Sequence, residues 1–190
     1  MSTDAKKVAT GKPMIGGAVF WAPAGTTLPT DAKGSLDEAY VDLGYISEDG
    51  VTNSVERETE EIKAWGGDVV LKPQTSKTDS FSMTFIESLR MDVLKVTHGS
   101  DNVSRTGSDE AGYVTTVREN SKELDHGVFV IDVVMGEAIK RIVIPDGQIT
   151  EIGEVTYQDN NAVGYESTIT AFPYDEYDSD THREYIETAE

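Results

Sequence analysis

A change of period in mid-chain constrains this sequence more than any other feature. In Ser80-Phe81-Ser82-Met83-Thr84-Phe85, the large apolar residues Phe81, Met83 and Phe85 alternate with Ser80, Ser82 and Thr84. Extended backbone would therefore carry an apolar face on one side and small hydroxyls on the other. Directly afterwards Leu89, Val93 and Val96 recur at i, i+4 and i+7, one face of a helix. Ser88 is placed to cap its start and Gly99 to end it, which predicts a helix over about residues 87–98. A half-apolar strand running straight into a short amphipathic helix must bury both faces in one core.

The rest of the chain reads as strands added to that unit. Val128-Phe129-Val130-Ile131-Asp132-Val133-Val134-Met135 is apolar on both faces apart from Asp132, which predicts a mid-sheet strand covered on both sides. Gly136-Glu137 then fits a type II′ hairpin turn into Ala138–Ile144. Asp146-Gly147 predicts another turn, leading to a strand from about Gln148 to Tyr157. In Val163–Phe172, Glu166, Thr168 and Thr170 face one way, while Val163, Tyr165, Ile169 and Ala171 face the core. Further strands are predicted over Gly17–Pro23, Tyr40–Ile46 and Tyr113–Arg118, a helical turn capped by Asp31 over Ala32–Glu38, and a loop over Asp101–Glu110. Glu56-Arg57-Glu58-Thr59-Glu60-Glu61-Ile62-Lys63 has no apolar stripe and reads as a solvated face or a long exposed loop. The large aromatic Trp65 follows at once, and such a residue often anchors a partner surface. Strands every eight to twelve residues with one helix predict a mainly β fold, a β-sandwich or barrel with one flanking α-helix. Residues 1–13 read as a flexible N-terminal arm, 14–173 as the folded domain, and 174–190 as an acidic, exposed tail.

Charge narrows the function classes. With 16 Lys and Arg against 35 Asp and Glu the formal net charge is −19. Binding to phosphates needs Lys and Arg to replace counterions, so a charge this negative argues against a nucleic-acid-binding surface. The chain has no cysteine, which rules out disulfides and thiolate metal sites. No apolar run approaches the roughly 20 residues a membrane helix needs, and Met1-Ser2-Thr3-Asp4-Ala5-Lys6-Lys7 does not read as a signal peptide. Production in a reducing, soluble compartment is expected.

Catalytic and metal signatures are missing. The sequence contains no workable nucleophile elbow, phosphate loop, dinucleotide fingerprint or zinc motif. His98, His126 and His182 lie far apart in sequence; His98 falls at the helix C-terminus, where the dipole favours a cation, and His126 in a turn. Asp175, Glu176, Asp178 and Asp180 lack the central glycine and terminal glutamate of a calcium loop. Glu60 and Glu61 point apart on an extended chain, which does not suit acid–base work. No catalytic residue, metal or cofactor is expected.

Four segments carry a resemblance. Gly17-Ala18-Val19-Phe20-Trp21-Ala22-Pro23 with Gly25-Thr26-Thr27-Leu28-Pro29-Thr30-Asp31, then Val41-Asp42-Leu43-Gly44-Tyr45-Ile46-Ser47-Glu48-Asp49-Gly50-Val51, then Ile62-Lys63-Ala64-Trp65-Gly66-Gly67-Asp68, and finally Phe85-Ile86-Glu87 occur in order. Together they resemble the major tail (tail tube) proteins of long-tailed, siphovirus-like bacteriophages, especially those of actinobacterial hosts. The match runs from residue 15 to about 100 and continues more loosely to Phe172. An immunoglobulin-like domain that some relatives carry is not evident after residue 173.

The resemblance implies a structural virion protein made in the host cytoplasm. Its subunits form homo-hexameric rings stacked into a tube, joined across neighbours into one continuous β-barrel, in company with the tape measure protein and other tail proteins. DNA passes through without specific binding, and no membrane is involved. On that reading Ser80, Ser82, Thr84, Glu166, Thr168 and Thr170 are candidates for the lumen wall. Arg57, Glu58, Glu60, Glu61, Lys63 and Trp65 are candidates for contacts between subunits or rings. Taken without the resemblance, each polar face equally fits the solvent side of a sandwich. Alternatives are another virion part of related fold, such as a tail terminator or baseplate hub piece, and a carbohydrate-binding β-sandwich module. The last would need aromatics on one sheet face, whereas Trp21 and Trp65 lie in separate segments.

Overall fold

The central strand pair organises the molecule. In the computed structural model, which describes residues 8–14 and 17–188, β10 (Gly127–Met135) and β11 (Ala138–Ile152) pair antiparallel across the two-residue turn Gly136-Glu137. Only Gly136 of the two has positive φ, at 65°, as a type II′ turn requires. Residues 1–7 of the expected arm and 189–190 of the expected tail lie outside the described residues.

Strands β1 (Gly11–Pro13), β2 (Val19–Pro23), β3 (Val41–Asp42), β4 (Ile46–Thr59), β7 (Gln74–Phe85), β12 (Tyr165–Ala171) and β13 (Arg183–Glu187) complete a nine-stranded sheet. Its order is β3-β2-β10-β11-β12-β7-β4. β1 and β2 lie end to end along one side of β10, and β13 and β12 end to end along one side of β11. Two small hairpins stand apart: β5 (Ile62–Lys63) with β6 (Val69–Leu71), and β8 (Val103–Ser108) with β9 (Gly112–Val117).

The sheet curls on itself. Its two terminal strands, β3 and β4, are separated in sequence only by Leu43-Gly44-Tyr45, so one edge is brought close to the other. At this corner the Leu43 amide donates to the Val19 carbonyl at 2.9 Å, and the Ile86 amide to Tyr45 at 3.1 Å. Gly44 takes φ 77°, and a Cβ there would run into the Glu87 carboxylate, which is held by the Tyr45 amide at 3.0 Å and by Arg90. The expected strand over Tyr40–Ile46 is thus two strands broken by a glycine corner. The fold is sandwich-like rather than a closed barrel.

The core lies inside the curl. Phe81, Met83 and Phe85 from β7 and Tyr165, Ile169 and Ala171 from β12 meet Phe129, Ile131, Ile142 and Ile144 from β10 and β11. Helix α1 (Met91–His98) lays Val93, Leu94 and Val96 onto the same cluster. Fully burying a side chain of this kind contributes roughly 1.5–3 kcal/mol. The other face of the central pair, Val128, Val130 and Val143, is covered by Phe20, Leu28, Leu36, Tyr40 and Tyr185, so β10 is buried on both sides as its composition predicts. Asp132 is neutralised by Arg141 directly opposite it on β11, with Nε–Oδ1 and Nη2–Oδ2 distances both 2.8 Å.

Several expected elements differ. The helix begins at Met91, not residue 87: Arg90 is its N-cap residue, Ser88 caps nothing, and Leu89 is 93% exposed. Asp31 forms an Asx turn to the amides of Lys33 and Gly34 rather than capping a helix. Asp146-Gly147 is not a turn, because β11 runs through it. Gly147 is there for close approach; a Cβ would meet Phe129 at 2.8 Å. Residues 103–108 of the expected loop are a strand, since β9 supplies their partner. Gly11–Pro13 of the expected arm pairs with Val133–Met135, and Arg183–Glu187 of the expected tail with Ile139–Val143.

Candidate functional site

The six residues singled out for a polar wall come together on one surface. In the ladder between β7 and β12, Ser80 lies opposite Thr170, Ser82 opposite Thr168, and Thr84 opposite Glu166. Directly paired residues share a face, so these form three polar rows. The buried rows Phe81–Ile169, Met83–Ser167 and Phe85–Tyr165 alternate with them on the core side. The hydroxyls are linked as well as aligned: Ser82 Oγ and Thr168 Oγ1 are 3.1 Å apart, and Thr150 Oγ1 and Thr170 Oγ1 are 2.7 Å apart. Thr52 and Ser54 of β4 extend the Ser82 and Ser80 rows across a further strand. Thr52, Ser54 and Thr150 escaped the sequence reading because their rows exist only once the strands are in register.

The charged segment 56–63 is neither a loop nor part of the body. Outward from Thr78, β7 pairs with β4 alone: Glu56 with Thr78, Arg57 with Lys77, Glu58 with Ser76, and Thr59 with Gln74. The result is a two-stranded hairpin projecting from the sheet, tipped by β5 and β6. Eight extended residues from Glu56 to Lys63, at about 3.3 Å each, reach roughly 25 Å. Arg57 donates to Gln74 at 2.8 Å and Ser76 to Glu58 at 2.9 Å, while Lys63 and Lys72 both approach Glu61, at 3.9 and 3.5 Å. Such exposed pairs contribute little, so the hairpin rests mainly on its backbone ladder. Glu60 donates its amide to the Pro73 carbonyl. Trp65 stands at the tip, 108% exposed, beside the exposed Ile62, Val69, Val70 and Leu71. The apolar run Val69-Val70-Leu71 after Gly66-Gly67 was the legible signal for this patch. Trp21 sits elsewhere, half-buried against the core, so the two tryptophans make no joint platform.

At the root of the hairpin is Asp79, 1% exposed. Asn53 Nδ2 donates to its Oδ1 at 2.9 Å; Thr181 Oγ1 and His182 Nδ1 lie 2.5 and 2.6 Å from its Oδ2. Burial pushes against ionisation here, but the bonds from Thr181, Asn53 and His182 outweigh it and hold the carboxyl below its ordinary range. A depressed carboxylate adds stability above its unfolded value, near pH 4, and loses it as pH falls through the lower folded value. Asp79→Asn should therefore flatten the acid limb of the melting temperature against pH relative to the parent. Parallel acid limbs in circular dichroism melts would show that Asp79 carries none of the acid sensitivity.

The three histidines do not converge. His98 pairs with Glu119 at 3.0 Å, His126 with Asp146 at 2.6 Å, and His182 with Asp79, three separate places. Among the described residues no group of three or more His, Cys, Asp or Glu is placed to hold a metal ion, and no helix is long and apolar enough to cross a membrane.

No curated protein matches the chain. Among solved structures it is similar to the cryo-EM structure of the anti-feeding prophage cap, a tube-terminating cap, at 11% identity over 100% of both chains with a TM-score of 0.36. A likeness that distant says nothing further about the chain. The family model for phage tail tube proteins matches residues 1–186. The chain belongs to the phage tail tube protein family, whose members are structural proteins of the virion tail and not enzymes.

Proposed function

We propose that six copies of this chain close into a ring, and that rings stack into the tube of a long, siphovirus-like tail whose lumen conducts the genome. One observation carries this reading: the hydroxyl-faced part of the sheet has two open edges. It runs from Gln148–Ile152 of β11 through β12 and β7 to β4. Among the described residues the outer side of β4 has no partner, and β10 pairs with β11 only as far as Gly147. A strand of 14 residues with an open edge is a template for another chain. Joining the body part of β4, Val51–Val55, to the Gln148–Ile152 edge of the next copy satisfies both five-residue edges, and closure around a ring leaves neither of them open.

In that ring Ser80, Ser82, Thr84, Glu166, Thr168 and Thr170 face the lumen, a wall of hydroxyls and carboxylate that offers phosphate nothing to bind. The projecting hairpin, with Arg57, Glu58, Glu60, Glu61, Lys63 and Trp65, reaches a neighbouring subunit. Residues 14–173, together with β1 and β13 that pair into the same sheet, build the tube, with the tape measure protein as occupant before DNA passes.

Negative-stain microscopy of the purified protein tests the assembly, tubes being expected and single rings alone favouring a terminator-like role. The lumen is tested by Glu166→Lys, which should leave tubes intact but make them retain DNA at low salt. Glu137→Lys, in the turn at the opposite end of β11, is the control. Equal retention by the two would remove Glu166 from the wall.

A further inference from the structure

Asp79 occupies the position at which the hairpin leaves the body. It is the outermost residue of β7 flanked on both sides, by Val55 of β4 and Ala171 of β12. Beyond it only two strands continue. A two-stranded ribbon has no core of its own, so its direction is set by the twist of its ladder and by whatever grips its root. Here the grip comes from the chain just before β13. Thr181 donates its hydroxyl to Asp79 and accepts from Lys77 Nζ at 2.9 Å, and Asn53 donates to the other carboxylate oxygen. The His182 ring stands edge-on to Phe81 with centroids 5.2 Å apart, closing the end of the core. Strand β7 is thereby tied through Lys77 and Asp79 to the segment before β13, and β4 is tied through Asn53 to the same Asp79 carboxylate.

Burying a carboxylate is expensive unless every lone pair is used, and well-packed apolar residues would hold the fold as well or better. Directional bonds to both strands provide what apolar packing does not, a fixed angle. We infer that Thr181 and His182 are positioning residues that fix the direction in which the hairpin projects, and so set how readily its tip meets the neighbouring subunit. The inference rests on the reading of the hairpin as a subunit-contact arm. A rigidly aimed arm has less freedom to lose on docking than a wavering one, which lowers the cost of each contact.

The absence of cysteine from the sequence makes the test direct. Asp68→Cys at the tip and Lys95→Cys on α1 accept a spin-label pair, whose distance distribution is read in dilute, unassembled protein. The distribution should at least double in width in Thr181→Val and in Thr181→Ala/His182→Ala. Thr181→Ser, which keeps the hydroxyl, should stay as narrow as the parent. The protein concentration needed for tubes should rise about tenfold in the broadened variants and not in Thr181→Ser. Parental width in both Thr181→Val and the double variant overturns the inference. Broadening with parental assembly upholds the positioning role and overturns instead the reading of the hairpin as a contact arm.

Discussion

Trp65→Ala should leave the melting temperature of the unassembled protein unchanged while weakening assembly at least about thirtyfold. The first half follows from geometry. At 108% exposure the indole touches no core, so its removal opens no cavity, and the 3–5 kcal/mol typical of a buried aromatic does not arise. The second half follows from the hairpin's proposed role. An exposed indole in the turn Ala64–Asp68, between Ile62 on one tip strand and Val69-Val70-Leu71 on the other, is the kind of residue that dominates an interface. Truncating such a hot spot costs about 2 kcal/mol or more, roughly thirtyfold in Kd per contact. Because a tube repeats each contact around every ring, the threshold for assembly should respond more steeply than any one contact. Sedimentation against concentration, beside a thermal melt of the dilute protein, separates the two effects. A variant that melts far below the parent would place Trp65 in a packed environment; one that assembles at the parental threshold would take the tip out of the interface.

Asp132→Ala should lower stability by about 3–5 kcal/mol, because it strands a buried cation. Arg141 is 4% exposed and Asp132 2% exposed, and their paired bonds are each other's main compensation. In a domain of this size a loss of that order moves the melting temperature down by roughly 6–20 °C. Arg141 also donates to the Gly34 carbonyl at 2.8 Å, anchoring the loop that carries Asp31. Replacing both partners, as in Asp132→Leu/Arg141→Met, should therefore recover much of the loss but not all, because the loop stays untied. An Asp132→Ala melt within about 2 °C of the parent would mean that water reaches the pair and that it is not buried in solution.

How much of this was legible beforehand follows from how local each determinant is. The alternation of Phe81, Met83 and Phe85 with small hydroxyls settles which face of β7 is buried, whatever its neighbours. The doubly apolar run around Ile131 likewise settles that β10 is central, and Gly136-Glu137 settles its hairpin. Those features depend on residues within a few positions of one another.

Other features depend on partners far along the chain. Glu56–Thr59 has no apolar period, and it is a strand because Gln74–Thr78 supplies its hydrogen bonds. Asp146-Gly147 has the composition of a turn, but its glycine is required by the approach of Phe129 and Ile169. Arg183–Glu187 is a strand only because one side of β11 is open to it. The helix start moves from residue 87 to Met91 because Glu87 is taken by the Gly44 corner and by Arg90. The polar face, too, was legible one strand at a time, as two stripes on β7 and β12. Their opposition in three rows, with Thr150 and β4 joined to them, waited on register between strands some 86 residues apart. Which side of each strand must avoid water is a property of consecutive side chains and can be read along the chain. Which strands meet, where the sheet ends and what grips the hairpin cannot be read that way, because hydrogen-bond partners and buried counter-charges are matched across the fold.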